Sequence, residues 1–100
     1  MKRITEKDLA NLCRRLNMIT NSPLDPYTKG NDGKCTANIG NYHINYAYGG
    51  AELYRMHNLA GGVTNPLRSG HVSKRELYGR IHAFIDGILE AQAEQEKSKS

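Results

Sequence analysis

Tryptophan is absent and phenylalanine occurs once, so six tyrosines carry nearly all the aromatic character of the 100 residues. Cysteine occurs only at Cys13 and Cys35, which excludes a disulfide scaffold and a self-contained four-ligand zinc finger. No stretch approaches the ~18 apolar residues of a membrane-spanning helix. The opening Met1-Lys2-Arg3 runs straight into polar sequence, without the apolar core of a secretory signal. A reducing cytoplasm is therefore the expected compartment. Apolar residues make up 38% of the chain, enough to bury one modest core. There are no internal repeats and no long linker. The expected organisation is one domain over residues 1–93 and a polar tail over 94–100.

The formal net charge is +4, a mild excess that suits an anionic partner without specifying nucleic acid. Its distribution says more. Between Thr36 and His82 the basic residues are Arg55, Arg68, Lys74, Arg75 and Arg80, against only Glu52 and Glu76. All four histidines, His43, His57, His71 and His82, fall in the same stretch.

Hydrophobic periodicity predicts a helix over residues 6–20, with Leu9, Leu12, Cys13, Leu16 and Ile19 on one stripe. Thr5 caps it, with Asp8 in capping-box position, and Pro23 follows its end. Cys13 on that stripe reads as core. Residues 22–34 hold Pro23, Pro26, Gly30 and Gly33 and read as a loop, with a turn at Asn31-Asp32-Gly33. Tyr42, Ile44, Tyr46 and Tyr48 alternate with His43, Asn45 and Ala47, the period of a strand. Gly49-Gly50 reads as a hairpin loop, and residues 51–58 as the return strand. A short strand fits residues 63–67. Ser73-Lys74-Arg75-Glu76 opens a second helix to about residue 93, with Leu77, Ile81, Phe84, Ile85, Ile88 and Leu89 as its core stripe. The fold class is α+β: helix, antiparallel sheet of two to four strands, helix, with both helices on one sheet face.

Three groups of residues have chemical potential. The first is the approach to the last helix, Arg68 to Arg75, where unpaired N–H groups and the helix dipole suit an anion. The second is the tyrosine strand with Arg55 and His57 beside it, able to stack a base and hold a phosphate. The third is the line Gly79, Ala83 and Gly87, opposite the core stripe, where a second protomer can approach closely. No metal-ligand motif and no nucleophile elbow occurs. The residues therefore favour binding over catalysis, with no cofactor and no metal.

Several short motifs together carry a resemblance: Ala37-Asn38-Ile39-Gly40-Asn41-Tyr42, Ala47-Tyr48-Gly49-Gly50, Gly61-Gly62-Val63, Lys74-Arg75-Glu76-Leu77-Tyr78 and Ala83-Phe84-Ile85. The chain resembles short phage and prophage accessory proteins over roughly residues 4–89. The resemblance implies a phage origin and a role in the host bacterial cytoplasm, and transfers no functional residue. The resulting expectation is a homo-oligomeric anti-defence protein that sequesters a nucleotide-derived host immune signal. Tyr46, Tyr48 and Tyr54 would give aromatic contact. Arg55, Arg68, Lys74 and Arg75 would hold phosphate, and His57 and His71 would add polar contact. Two alternatives stand beside it: a protein-directed inhibitor of a host defence complex, and a small nucleic-acid-binding module.

Overall fold

In the computed structural model, which describes residues 3–98, the element order is α1 (Glu6–Ile19), β1 (Tyr27–Lys29), β2 (Cys35–Ala37), β3 (Tyr42–Ala47), β4 (Gly50–Met56), β5 (Val63–Thr64) and α2 (Lys74–Ser98). The fold is α+β. Met1, Lys2, Lys99 and Ser100, the outer ends of the expected domain and tail, lie outside the described residues.

α1 begins where the sequence says. Asp8 N donates to Thr5 Oγ1 at 3.2 Å and Thr5 N donates to Asp8 Oδ2 at 2.9 Å, a reciprocal capping box. Its stripe is buried at Leu9, Leu12, Cys13 and Leu16. α2 starts on Ser73, whose Oγ accepts from Glu76 N at 3.1 Å. The Glu76 carboxylate pairs with Arg80 one turn on, at 2.9 Å.

α2 continues through Ser98, so the expected polar tail is helical over residues 94–98. Its buried positions are Leu77, Ile81 and Ile85. Leu89, expected in the core stripe, is 38% exposed. Beyond it, Gln92 Nε2 donates to Ile19 O at 3.0 Å and ties the extension to α1. A Cβ at Gly79 or Gly87 would meet nothing within 4 Å, so that line is open.

Two antiparallel sheets form, β1-β2 and β3-β4-β5. In the first, β1 lies inside the 22–34 segment expected to be a loop, and β2 begins just after it. Both strands are three residues long and mostly exposed, too short and too polar for a periodicity to show. The expected turn is present at its tip, with Gly33 at φ 81°. In the second sheet Ala47 pairs with Gly50. The hairpin turn is therefore Tyr48-Gly49, with φ 54° and 71°, one residue earlier than Gly49-Gly50. Positive φ at both central positions is the type I′ geometry that suits strand twist. Gly50 instead begins β4, because a Cβ there would lie 2.8 Å from Val72 O. That close approach lets Ala51 and Val72 exchange main-chain bonds of 2.7 and 3.0 Å.

Register decides the two faces. Tyr42, Ile44 and Tyr46 stand opposite Arg55, Leu53 and Ala51. This face joins α1 and α2 in one core with Leu9, Leu16, Leu77, Ile81 and Ile85. Each fully buried Leu or Ile there contributes ~1.5–3 kcal/mol. Both helices thus cover one face, as the pattern predicts.

Candidate functional site

The uncovered face of β3 and β4 carries His43, Asn45, Glu52 and Tyr54, because strand side chains alternate and His43 pairs with Tyr54 and Asn45 with Glu52. The segment between β5 and α2 folds onto this face. Glu52 is 3% exposed, and a buried carboxylate needs partners. Its Oε2 accepts from Asn65 Nδ2 and from Gly70 N, both at 3.1 Å. Its Oε1 lies 3.6 Å from His71 Nδ1. On the other side of the ring, His71 Nε2 is 2.8 Å from Asn45 Oδ1. The 2.8 Å contact to Asn45 and the nearby Glu52 carboxylate set the orientation of the imidazole.

Around His71 the aromatic rings meet edge to face. Tyr48 and His71 have centroids 5.4 Å apart, and Tyr54 and His71 6.3 Å. Tyr54 in turn meets His43 at 5.9 Å, and His43 Nδ1 lies 3.1 Å from Asn41 Oδ1. Burial pushes the His43 imidazole below its ordinary 6.5. The result is a chain of rings, His43–Tyr54–His71–Tyr48, over a floor of amide and carboxylate oxygens. Tyr48 is its outermost member, 96% exposed.

Of the residues expected to bind, Tyr48, Tyr54 and His71 are brought together here. Arg68, Lys74 and Arg75 flank His71 in the chain. Arg68 sits at φ 51° and is exposed, and Lys74 and Arg75 open α2. Tyr46 is on the helix side of β3. Arg55 faces that side too, with its guanidinium carbon 5.0 Å from the centre of the Tyr42 ring and Nε 3.4 Å from Gly40 O. It stands four residues along β4 from Ala51, about 13 Å at strand rise. His57 joins Arg55 and Thr64 at a separate cavity of about 330 Å³. The expected basic residues thus divide between two places.

Glu52, Asn45 and His43 are members that sequence reasoning did not select. The alternation that set His43 and Asn45 opposite Tyr42, Ile44 and Tyr46 was legible, whereas Tyr48, expected with them, lies in the turn and meets His71 on the other side. The partners of Glu52 were not, since Asn65 and Gly70 reach it only through the fold. Among the described residues no three His, Cys, Asp or Glu side chains converge to hold a metal ion. No described helix is long and apolar enough to cross a membrane.

The fold and site define a small two-layer α+β domain with an aromatic–histidine surface cluster. No protein-family model matches the chain, and neither a curated protein nor a solved structure shows a significant likeness.

Proposed function

We propose that this domain acts by stoichiometric binding rather than catalysis, and that its partner is a protein. The observation that carries this reading is Tyr48. It is 96% exposed and sits at φ 54°, where a non-glycine residue is strained and Asn or Gly is the usual choice. A large aromatic at the tip of a rigid turn suits a contact surface, since tyrosine gives much contact area for little lost side-chain freedom. His71 meets Tyr48 and Tyr54 edge to face, and Arg68, Lys74 and Arg75 lie close to His71 in the chain.

The setting is the one the sequence resemblance suggests, a phage accessory protein directed at a host defence component in the bacterial cytoplasm. Sequestration of a nucleotide-derived signal is the second reading, favoured by the exposed aromatic cluster of Tyr48, Tyr54 and His71. Against it, the buried Glu52 carboxylate beneath those rings repels a phosphate, and Arg55 stands on the other sheet face. The same division of basic residues weakens a nucleic-acid-binding role, which needs a continuous basic stripe.

The test is capture from bacterial lysate with the native chain and with Tyr48→Asn. A single protein retained in stoichiometric amount by the native chain and lost with the variant supports the proposal. A saturable thermal shift with a cyclic dinucleotide or an ADP-ribose derivative, with no protein retained, overturns it in favour of the second reading.

A further inference from the structure

β3 is an edge strand, because the sheet order is β3-β4-β5. Its main-chain groups alternate in direction. Met56 N donates to Asn41 O at 2.8 Å, so Asn41, His43, Asn45 and Ala47 point toward β4. Tyr42, Ile44 and Tyr46 then point away from the sheet, since residues of an antiparallel pair alternate between bonded and non-bonded positions. The outward groups of Tyr42 are closed by α1. Asn17 Oδ1 accepts from Tyr42 N at 2.8 Å, and Asn17 Nδ2 and Cys13 Sγ both donate to Tyr42 O, at 3.0 and 3.1 Å. The N–H and C=O of Ile44 and Tyr46 have no such partner among the described residues.

Beside this open edge runs a cavity of about 320 Å³. Ala10 and Arg14 of α1, Leu24 and Pro26 of the following loop, and Ile44 and Tyr46 of β3 line it. Leu24 is 44% and Tyr46 42% exposed. Arg14 has no ion-pair partner among the described residues, and no acidic residue lines the cavity, although Glu6 at the start of α1 acts on Tyr46 from outside that lining.

We propose that the β3 edge receives an extended segment of a partner protein as an added strand, with an apolar residue in the α1–β3 groove and an acidic residue on Arg14. Unpaired strand edges recruit extended chains through main-chain bonds, and adjoining pockets select the side chains. Here Ile44 and Tyr46 offer four such groups, and Arg14 sets the charge preference.

A second copy of this chain is the alternative occupant, and α1 stands against it. α1 packs over β3 while α2 packs over β4. Pairing β3 with a symmetry-related β3 brings the strands to about 4.8 Å, while the two copies of α1 above them need axes about 8–10 Å apart. A segment without its own helix layer avoids that collision. This surface is separate from the Tyr48 cluster and stands whether or not that cluster binds its partner.

The test uses the full chain and a synthetic probe, an acetylated and amidated Thr-Val-Asp-Val-Thr-Val peptide, followed by amide NMR and hydrogen exchange. Without peptide, the Ile44 and Tyr46 amides are expected to exchange much faster than that of Tyr42. With millimolar peptide, both become protected. Replacing Asp by Lys in the probe weakens binding about fivefold, and Arg14→Glu, an exposed substitution, reverses the preference. Two N-methylated probes, blocked at odd or at even positions, separate strand addition from apolar capture: one set loses binding and the other retains it. Equal binding by both, absence of protection at Ile44 and Tyr46, or a dimer whose β3 amides are already protected overturns the proposal.

Discussion

The side chain of Asn17 closes on both main-chain polar groups of Tyr42, accepting from its N–H at 2.8 Å and donating to its C=O at 3.0 Å. An amide side chain on α1 thereby does for one residue what a neighbouring strand would do. Asn17 is 2% exposed, so water cannot replace it. Asn17→Ala leaves a buried N–H unpaired and is expected to cost about 2–3 kcal/mol. Urea unfolding measures it; a loss below about 1 kcal/mol would show that the edge is solvated and the bond dispensable.

Glu52 holds the segment before α2 to the sheet through Gly70 N and Asn65 Nδ2, both 3.1 Å away. Glu52→Ala removes these acceptors and the partner of His71 Nδ1. We expect a loss of about 2–4 kcal/mol and a selective rise in amide exchange at Gly70. Unchanged exchange there would mean that the segment is held by the Ala51–Val72 bonds alone.

Tyr48→Asn separates fold from function. The variant gains a residue suited to left-handed backbone and loses the edge contact to His71. Those effects oppose each other, so stability should change by less than about 1 kcal/mol. Partner capture is expected to disappear. Retained capture at native stability would remove Tyr48 from the contact.

Burial lowers the His43 pKa from 6.5, so the unfolded chain takes up a proton more readily than the folded one. Stability from this group is complete well above pH 6.5 and is lost as pH falls below it. His43 faces the Tyr54 ring and Asn41 Oδ1, and neither supplies a charge that would reverse the sign. Any stability advantage of the native chain over His43→Gln should therefore shrink between about pH 7.5 and about pH 5. Unfolding free energies that run parallel over that range would assign the acid loss to other groups.

The two thiols should differ sharply. Burial pushes Cys13 up to about 12, and its Sγ bonds Tyr42 O, whereas Cys35 is exposed. Because the thiolate is the reactive form, a disulfide reagent at about pH 8 should modify one thiol in the native protein and two in denaturant. Rapid modification of both in the native protein would mean that α1 opens readily from β3.

The sequence expectations that depended on local pattern match the structure closely. The α1 stripe at Leu9, Leu12, Cys13 and Leu16 is buried, and Thr5 and Ser73 cap their helices. The differences lie where local pattern is weak. β1 and β2 are three residues each, below the length at which alternation is visible. The turn moved to Tyr48-Gly49 because Gly50 is needed for the approach of Val72, a contact 22 residues away in sequence. The α2 extension stays helical because its Glu, Gln, Ala and Lys residues are good helix formers, although nothing buries them.

The amino-acid sequence by itself determined the α+β class, the two amphipathic helices and the sorting of Tyr42, Ile44 and Tyr46 from His43 and Asn45, because each follows from the 3.6- or two-residue period of the backbone. Only the tertiary structure decided that Glu52 meets Gly70 and His71, that Asn17 closes Tyr42, and that Arg55 leaves the group it was expected to join. Those relationships depend on strand register and on where distant segments return to the sheet. A one-residue change of register would turn every side chain of a strand to the other face, and the packing of whole elements is what fixes it.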